Sequence, residues 1–267
     1  MKHNILVRTV GTSLAVCMFA GMAMASGSSS SDSKETGGVT IEDTTTEATT
    51  EATTTEAKVE YEITNTTFVH YTNSIGREEY CGIVEIENTG SSCIYLKDCS
   101  FDFEDNDGHL LQTEKMITKA PDVIAPGEKG YFFNDGLIDE GTSMDNGINL
   151  VPNFVLEVAS KGKDAIVDYE VSDLDIKDND YGIGVKVTGR ATNNTSEATS
   201  SIDVKAVAIF YDSEGNILDI GYTYLDEMMA GGNTSFEIST MFGNSEFSAE
   251  DVANYVVFAR GSVLFNL

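Results

Sequence analysis

Tryptophan is absent from these 267 residues, histidine occurs three times, and cationic side chains are scarce: 16 Lys plus Arg stand against 44 Asp plus Glu, a formal net charge of −28. A field of that sign repels nucleic-acid phosphates, anionic lipid and anionic cell-wall polymers, so nucleic acid is set aside as a partner, while cations and basic protein faces are attracted. The same charge keeps a chain soluble and monomeric. Beyond residue 25 only His70 and His109 remain, and neither has a visible partner set for a Ser-His-Asp relay or a zinc triad. Cysteine is sparse as well. Cys17 lies in the N-terminal apolar run, which leaves Cys81, Cys93 and Cys99, an odd number that cannot form a complete disulfide framework. One bond among the three stays open, and the second half of the chain must fold without any. A second long apolar run is also missing.

The one apolar run present, Val10–Ala25, follows Lys2 and Arg8 and ends in Ala23-Met24-Ala25, a small-x-small cleavage pattern. It is short for a bilayer span, which needs about 20 apolar residues. Residues 1–25 are therefore expected to be a signal peptide, and the protein to be secreted or extracellular, with association to the cell envelope as the alternative. Cys17 follows Val16, which is bulky where a lipoprotein signal has a small residue, so a lipid tether is an alternative rather than the main reading. Membrane association is expected only through such an N-terminal tether. Residues 26–57 are Ser, Thr, Glu, Gly and Ala with almost nothing to bury, the composition of a disordered linker, either a stalk or a simple leader.

The remainder repeats itself. Val59-Glu60-Tyr61-Glu62-Ile63 returns as Val167-Asp168-Tyr169-Glu170-Val171, Phe103-Glu104-Asp105-Asn106-Asp107-Gly108 as Phe210-Tyr211-Asp212-Ser213-Glu214-Gly215, and Ala125-Pro126-Gly127-Glu128 as Ala230-Gly231-Gly232-Asn233. Asn88 matches Asn193 in a further block. This implies two copies of one unit, 58–160 and 165–267, with Lys161–Asp164 as a hinge. Each reads as strands: Val204, Ala206, Ala208 and Phe210 share one face at period two, and turn residues punctuate the runs. Only the stretch from Ser248 looks like a helical turn. The expected fold is all-β, two tandem immunoglobulin-like β-sandwich domains after a disordered N-terminal leader.

The repeat resembles the FxLyD type of small secreted bacterial domain. Phe101-Asp102-Phe103-Glu104-Asp105 with Gly108, Phe210-Tyr211-Asp212 with Gly215, and Pro126-Gly127 followed by Tyr131 carry the resemblance. Ala208, Glu104 and Gly231-Gly232 depart from the pattern. The resemblance implies an immunoglobulin-like, non-catalytic envelope module and supplies no catalytic residue.

Chemistry is hard to place. Asp105, Asp107 and Glu114 fill positions 3, 5 and 12 of a calcium loop counted from Phe103, and Gly108 fills position 6, but Phe103 cannot coordinate at position 1. A tight turn explains the same Asp-Gly without a metal. Asp173, Asp175, Asp178 and Asp180 form a second acidic run. Ser160-Lys161-Gly162-Lys163 matches S-x-x-K, but no Lys-Thr-Gly follows, and chance accounts for it. Tyr222 and Tyr224 alternate on one face and could form a small aromatic platform; with Asp212 and Glu214 they are the candidate binding residues. The expectation is a non-catalytic binding or interaction protein without a cofactor, its partner an unidentified protein or glycan at the cell surface. The alternatives are a calcium-binding structural or adhesion-type surface protein and, further off, a hydrolytic enzyme.

Overall fold

The computed structural model describes residues 58–180, 183–199, 203–241 and 247–263. The expected signal peptide, 1–25, and the Thr/Glu-rich linker, 26–57, lie outside the described residues. The described chain is all-β, and its strands pair antiparallel throughout. In the N-terminal half, β1 (Tyr61–Thr72), β2 (Glu78–Asn88), β7 (Lys129–Leu137) and β5 (Thr118–Ala120) form one sheet in the order β1-β2-β7-β5. In the second sheet, β3 (Ile94–Glu104) lies between β8 (Asn149–Val158) on one side and the shorter β4 (Leu110–Glu114) and β6 (Val123–Ile124) on the other. A one-turn 3-10 helix, Gly162–Ala165, leads to the C-terminal half.

There, β9 (Ile166–Asp178), β10 (Val185–Thr192), β11 (Lys205–Tyr211), β12 (Ile217–Tyr224), β13 (Asn233–Ser239) and β14 (Asn254–Ser262) pair in the order β12-β11-β14-β9-β10-β13. β9 serves two layers. Ile166–Tyr169 pairs with β14, and Glu170–Asp178 pairs with β10. A bulge interrupts the second ladder at Asp173, which has φ 55°, a left-handed conformation that Asp tolerates better than most residues.

Period-two alternation sends each strand's side chains to two faces, and here both faces of the central strands are covered. On β2, Tyr80, Val84 and Ile86 enter a core with Phe101, Phe103 and Phe132, while Cys81 and Ile83 enter another with Phe133, Val207, Ile209, Ile217 and Ile220. β11 does the same: Ala206, Ala208 and Phe210 face Val187, Phe236 and Ile238, and Val207 and Ile209 face β2 and β7. The face expected from Val204, Ala206, Ala208 and Phe210 is thus buried as one surface. Four β layers result, the middle two joined by an apolar core drawn from both halves. The Lys161–Asp164 stretch, expected as a hinge, leads into Ala165, which is buried with Cys93, Val123 and Ala159 and whose carbonyl accepts from Val263 N–H.

Local chemistry recurs in the two halves. Asn88 Nδ2 donates to the carbonyls of Ser92 and Ile124, and its Oδ1 accepts from Gly90 N–H. Asn193 Nδ2 donates to Glu197 and Met228, and its Oδ1 accepts from Thr195 N–H. The backbone carbonyl of Asn88 accepts from Gly127 N–H, and that of Asn193 from Gly231 N–H. Gly127 thus corresponds to Gly231, one residue off the sequence match with Gly232. Cys81, Cys93 and Cys99 are buried and form no disulfide with one another. Ser248 opens a single hydrogen-bonded turn closed by the Asp251 carboxylate, which accepts from its N–H and its hydroxyl.

Candidate functional site

The expected calcium loop is a β-hairpin turn. Asp105 Oδ1 accepts from the N–H groups of Asp107 and His109 at 2.9 Å each, and Gly108 closes the turn at φ 80°. Asp212 repeats this with Glu214 and Asn216 at 2.8 Å each, and Gly215 has φ 84°. Asn73 does the same for Ile75 and Arg77. An Asx side chain that captures two backbone N–H groups, with glycine taking the left-handed position, is a complete account of these sequences. Asp105 and Asp107 do come together, and His109 joins them with ligand atoms within 4.8 Å of one another. Glu114 does not. It pairs with Phe101 at the far end of β4, and its carboxylate caps Lys115 and Met116 N–H. Asn146 Nδ2 already donates to Asp105 and Asp107. Hydrogen bonds from the His109 backbone and ring hold the Asp105 carboxyl well below its usual range.

The second acidic run is dispersed among partners. Asp173 pairs with Arg190, Asp180 with Lys186, and Asp178 accepts from Ala249 N–H. Tyr222 and Tyr224 do meet edge to face, with centroids 5.9 Å apart. Tyr222 also packs on Phe133 at the shared core and is partly buried, while Tyr224, capped by Lys205, is the more open ring at 59% exposed.

A recess lies where the middle two layers part. It is a cleft of about 700 Å³ between β14 and the β6–β7 region, lined by Pro121, Glu128, Tyr131, Tyr211, Val256 and Phe258 among others. Asp212 is on its edge; Glu214, Tyr222 and Tyr224 are not among its lining residues. Behind it sits Glu85, 2% exposed. Its Oε1 accepts from Thr64 Oγ1 and Lys129 Nζ, both at 2.7 Å, and its Oε2 from the Tyr211 hydroxyl at 2.9 Å. The Tyr131 and Tyr211 hydroxyls are 3.1 Å apart. Burial, with the nearby carboxylate, pushes both phenols far above their ordinary value. At the other end Arg260 binds Glu128 through both terminal nitrogens, at 2.7 and 3.1 Å, and Asp168 through Nε. Burial raises the Glu128 carboxyl, but the hydrogen bonds from Arg260 and from Ala125 N–H, with the charges of Arg260 and Lys163, together outweigh it, and the group titrates below its usual range.

Among the described residues, every buried side-chain polar atom has a hydrogen-bond partner. The cleft therefore presents shape, an apolar floor and fixed charges, and its phenols are held protonated. The thiols are equally quiet: burial pushes Cys99 up to about 12 and raises Cys81 and Cys93 as well. Sequence reasoning singled out Asp212 but missed Glu85, Tyr131, Tyr211 and Arg260. The available signal was a lone carboxylate in the apolar run Gly82-Ile83-Val84-Glu85-Ile86, where burial demands partners. Compared with known proteins, the chain matches no family model and no curated protein.

Proposed function

We propose that this chain is a non-catalytic secreted or cell-envelope-associated binding protein, built from two tandem immunoglobulin-like sandwiches of the FxLyD type that engage a protein or glycan partner at the cell surface. The observation that carries the reading is the cleft beside β14, a concave site of the size that ligand pockets have, with an apolar floor and polar groups already committed to neighbours. The matched Asn88 and Asn193 corners and the matched Asp105 and Asp212 turns support the tandem arrangement. The signal sequence supports export, and the Thr/Glu-rich segment supports a role as spacer. The test is retention of fluorescently labelled protein, residues 26–267, on intact bacterial cells and isolated envelopes. Saturable retention that falls at least about tenfold with Val256→Lys is expected. Retention that is absent or fails to saturate refutes the reading.

A second reading, a calcium-dependent surface protein, has the meeting of Asp105, Asp107 and His109 in its favour. It requires calcium to raise Tm by mass action and Asp107→Asn to abolish the rise. Equal Tm in calcium and in chelator rejects it.

A further inference from the structure

β14 has neighbours on both sides along only part of its length. β11 runs beside Asn254–Arg260, but β9 lies on the other side only at Ala259–Ser262, because beyond Tyr169 it turns into the next layer to pair with β10. Asn254–Phe258 therefore has a strand on one side only among the described residues. An open strand side is a row of N–H and C=O groups spaced for another extended chain, and proteins commonly blunt it with proline, lysine or short length. The edge strand β8, paired among the described residues only with β3, carries Pro152 in mid-strand. Asn254-Tyr255-Val256-Val257-Phe258 has no such protection and is rich in residues that favour strands.

The cleft is the second, independent observation. Asn254, Val256, Phe258 and Arg260, every other residue of β14, line it opposite Pro121 and Tyr131. An added strand beside β14 would send alternate side chains into that recess and cover Val256, which is 41% exposed. The cleft has a carboxylate at each end: Asp212, beside the Tyr211–Asn254 pair, and Glu128, at Arg260. At that end two carboxylates, Glu128 and Asp168, face the single Arg260 guanidinium and leave one net negative charge, and Lys129 is matched by Glu85, so neither cation is left to repel a basic partner.

We propose that Asn254–Phe258 accepts an extended peptide segment of a partner protein as an added strand, apolar at alternate positions and carrying Lys or Arg toward both ends. The proposal rests on the reading of the chain as a binding protein and names the kind of partner. The probe is a pooled library of capped nonapeptides with lysine at both ends and randomised residues between, selected on the intact protein, residues 26–267. Selected peptides are expected to slow hydrogen exchange of amides within Asn254–Phe258 by about tenfold or more. Copies N-methylated at alternate residues should lose this protection, since they keep the side chains but cannot complete the ladder. Val256→Lys, at a half-exposed position, should weaken binding at least about tenfold while Tm stays within about 2 °C of the parent. Binders whose protection maps elsewhere, binders indifferent to N-methylation, or the absence of any binder overturn the proposal. Saturable retention on envelopes that Val256→Lys leaves intact sinks this site but not the binding function; absence of retention sinks the function itself.

Discussion

Ile209→Ala tests whether the two halves behave as one folded body. Ile209 is fully buried in the core shared with Cys81, Ile83 and Phe133, and its truncation removes apolar surface from a cluster drawn from both halves. Large-to-small changes of this kind cost about 2–5 kcal/mol, the transfer term plus the cavity left behind. For a folded body of this size each kcal/mol moves Tm by about 2–4 °C, so a loss of about 3 kcal/mol lowers Tm by about 6–12 °C. Differential scanning calorimetry on residues 26–267 should show one transition in both parent and variant, with equal calorimetric and van't Hoff enthalpies. Ile238→Ala, in the core of the C-terminal half away from the shared surface, serves as the control and should also shift a single peak. The variant Ile83→Ala, combined with Ile209→Ala, should show a coupling energy of about 0.5 kcal/mol or more, as residues in one core do. Two resolved transitions, of which Ile209→Ala moves only one, would refute the shared-core argument.

Three further outcomes follow from the site. Tyr211→Phe leaves the buried Glu85 carboxylate one hydrogen bond short and should cost about 1.5–3 kcal/mol in urea unfolding; an unchanged midpoint would show that Thr64 and Lys129 suffice. Because the folded Glu128 carboxyl titrates below its unfolded value of about 4.3, its stabilisation is complete above that pH and is lost as pH falls through the lower folded value. Glu128→Gln should therefore be less stable than the parent at neutral pH and show a shallower fall in Tm below about pH 4, and parallel Tm curves would refute this. Cys81, Cys93 and Cys99 should resist alkylation at pH 8 in the native protein and react fully in denaturant, as scored by mass spectrometry, since burial holds all three as thiols.

Much of the fold was legible because alternation and turn chemistry are local. Asp105-x-x-Gly108 and Asp212-x-x-Gly215 spell hairpin turns, and Asn88 and Asn193 stand at matched places in the repeat and make matching corner hydrogen bonds. The site was less legible. In β11 the sequence displays two apolar faces at once, yet reading alternation selected only the Ala206, Ala208 and Phe210 face. The Val207 and Ile209 face, which joins the halves, needs knowledge of which sheets stack, and that is set by contacts far apart in the chain. The cleft follows from the same stacking, because its wall comes from β7 and its floor from β14. Tyr211 shows the limit most plainly: its hydroxyl meets Glu85, 126 positions earlier, and no periodicity links the two.

Strands occupied on both faces leave a signature in the protein's freedom to vary. Along β3, where Lys97 and Asp98 look outward while Leu96, Cys99, Phe101 and Phe103 look in, tolerance to substitution should rise and fall with position. Along Tyr80–Ile86 of β2 and Ala206–Phe210 of β11 it should stay uniformly low, with no permissive alternate sites. A saturation screen scored for folded protein would thus trace the middle of the molecule as two unbroken intolerant blocks set among striped neighbours, a pattern that locates the internal contact without any structure at hand.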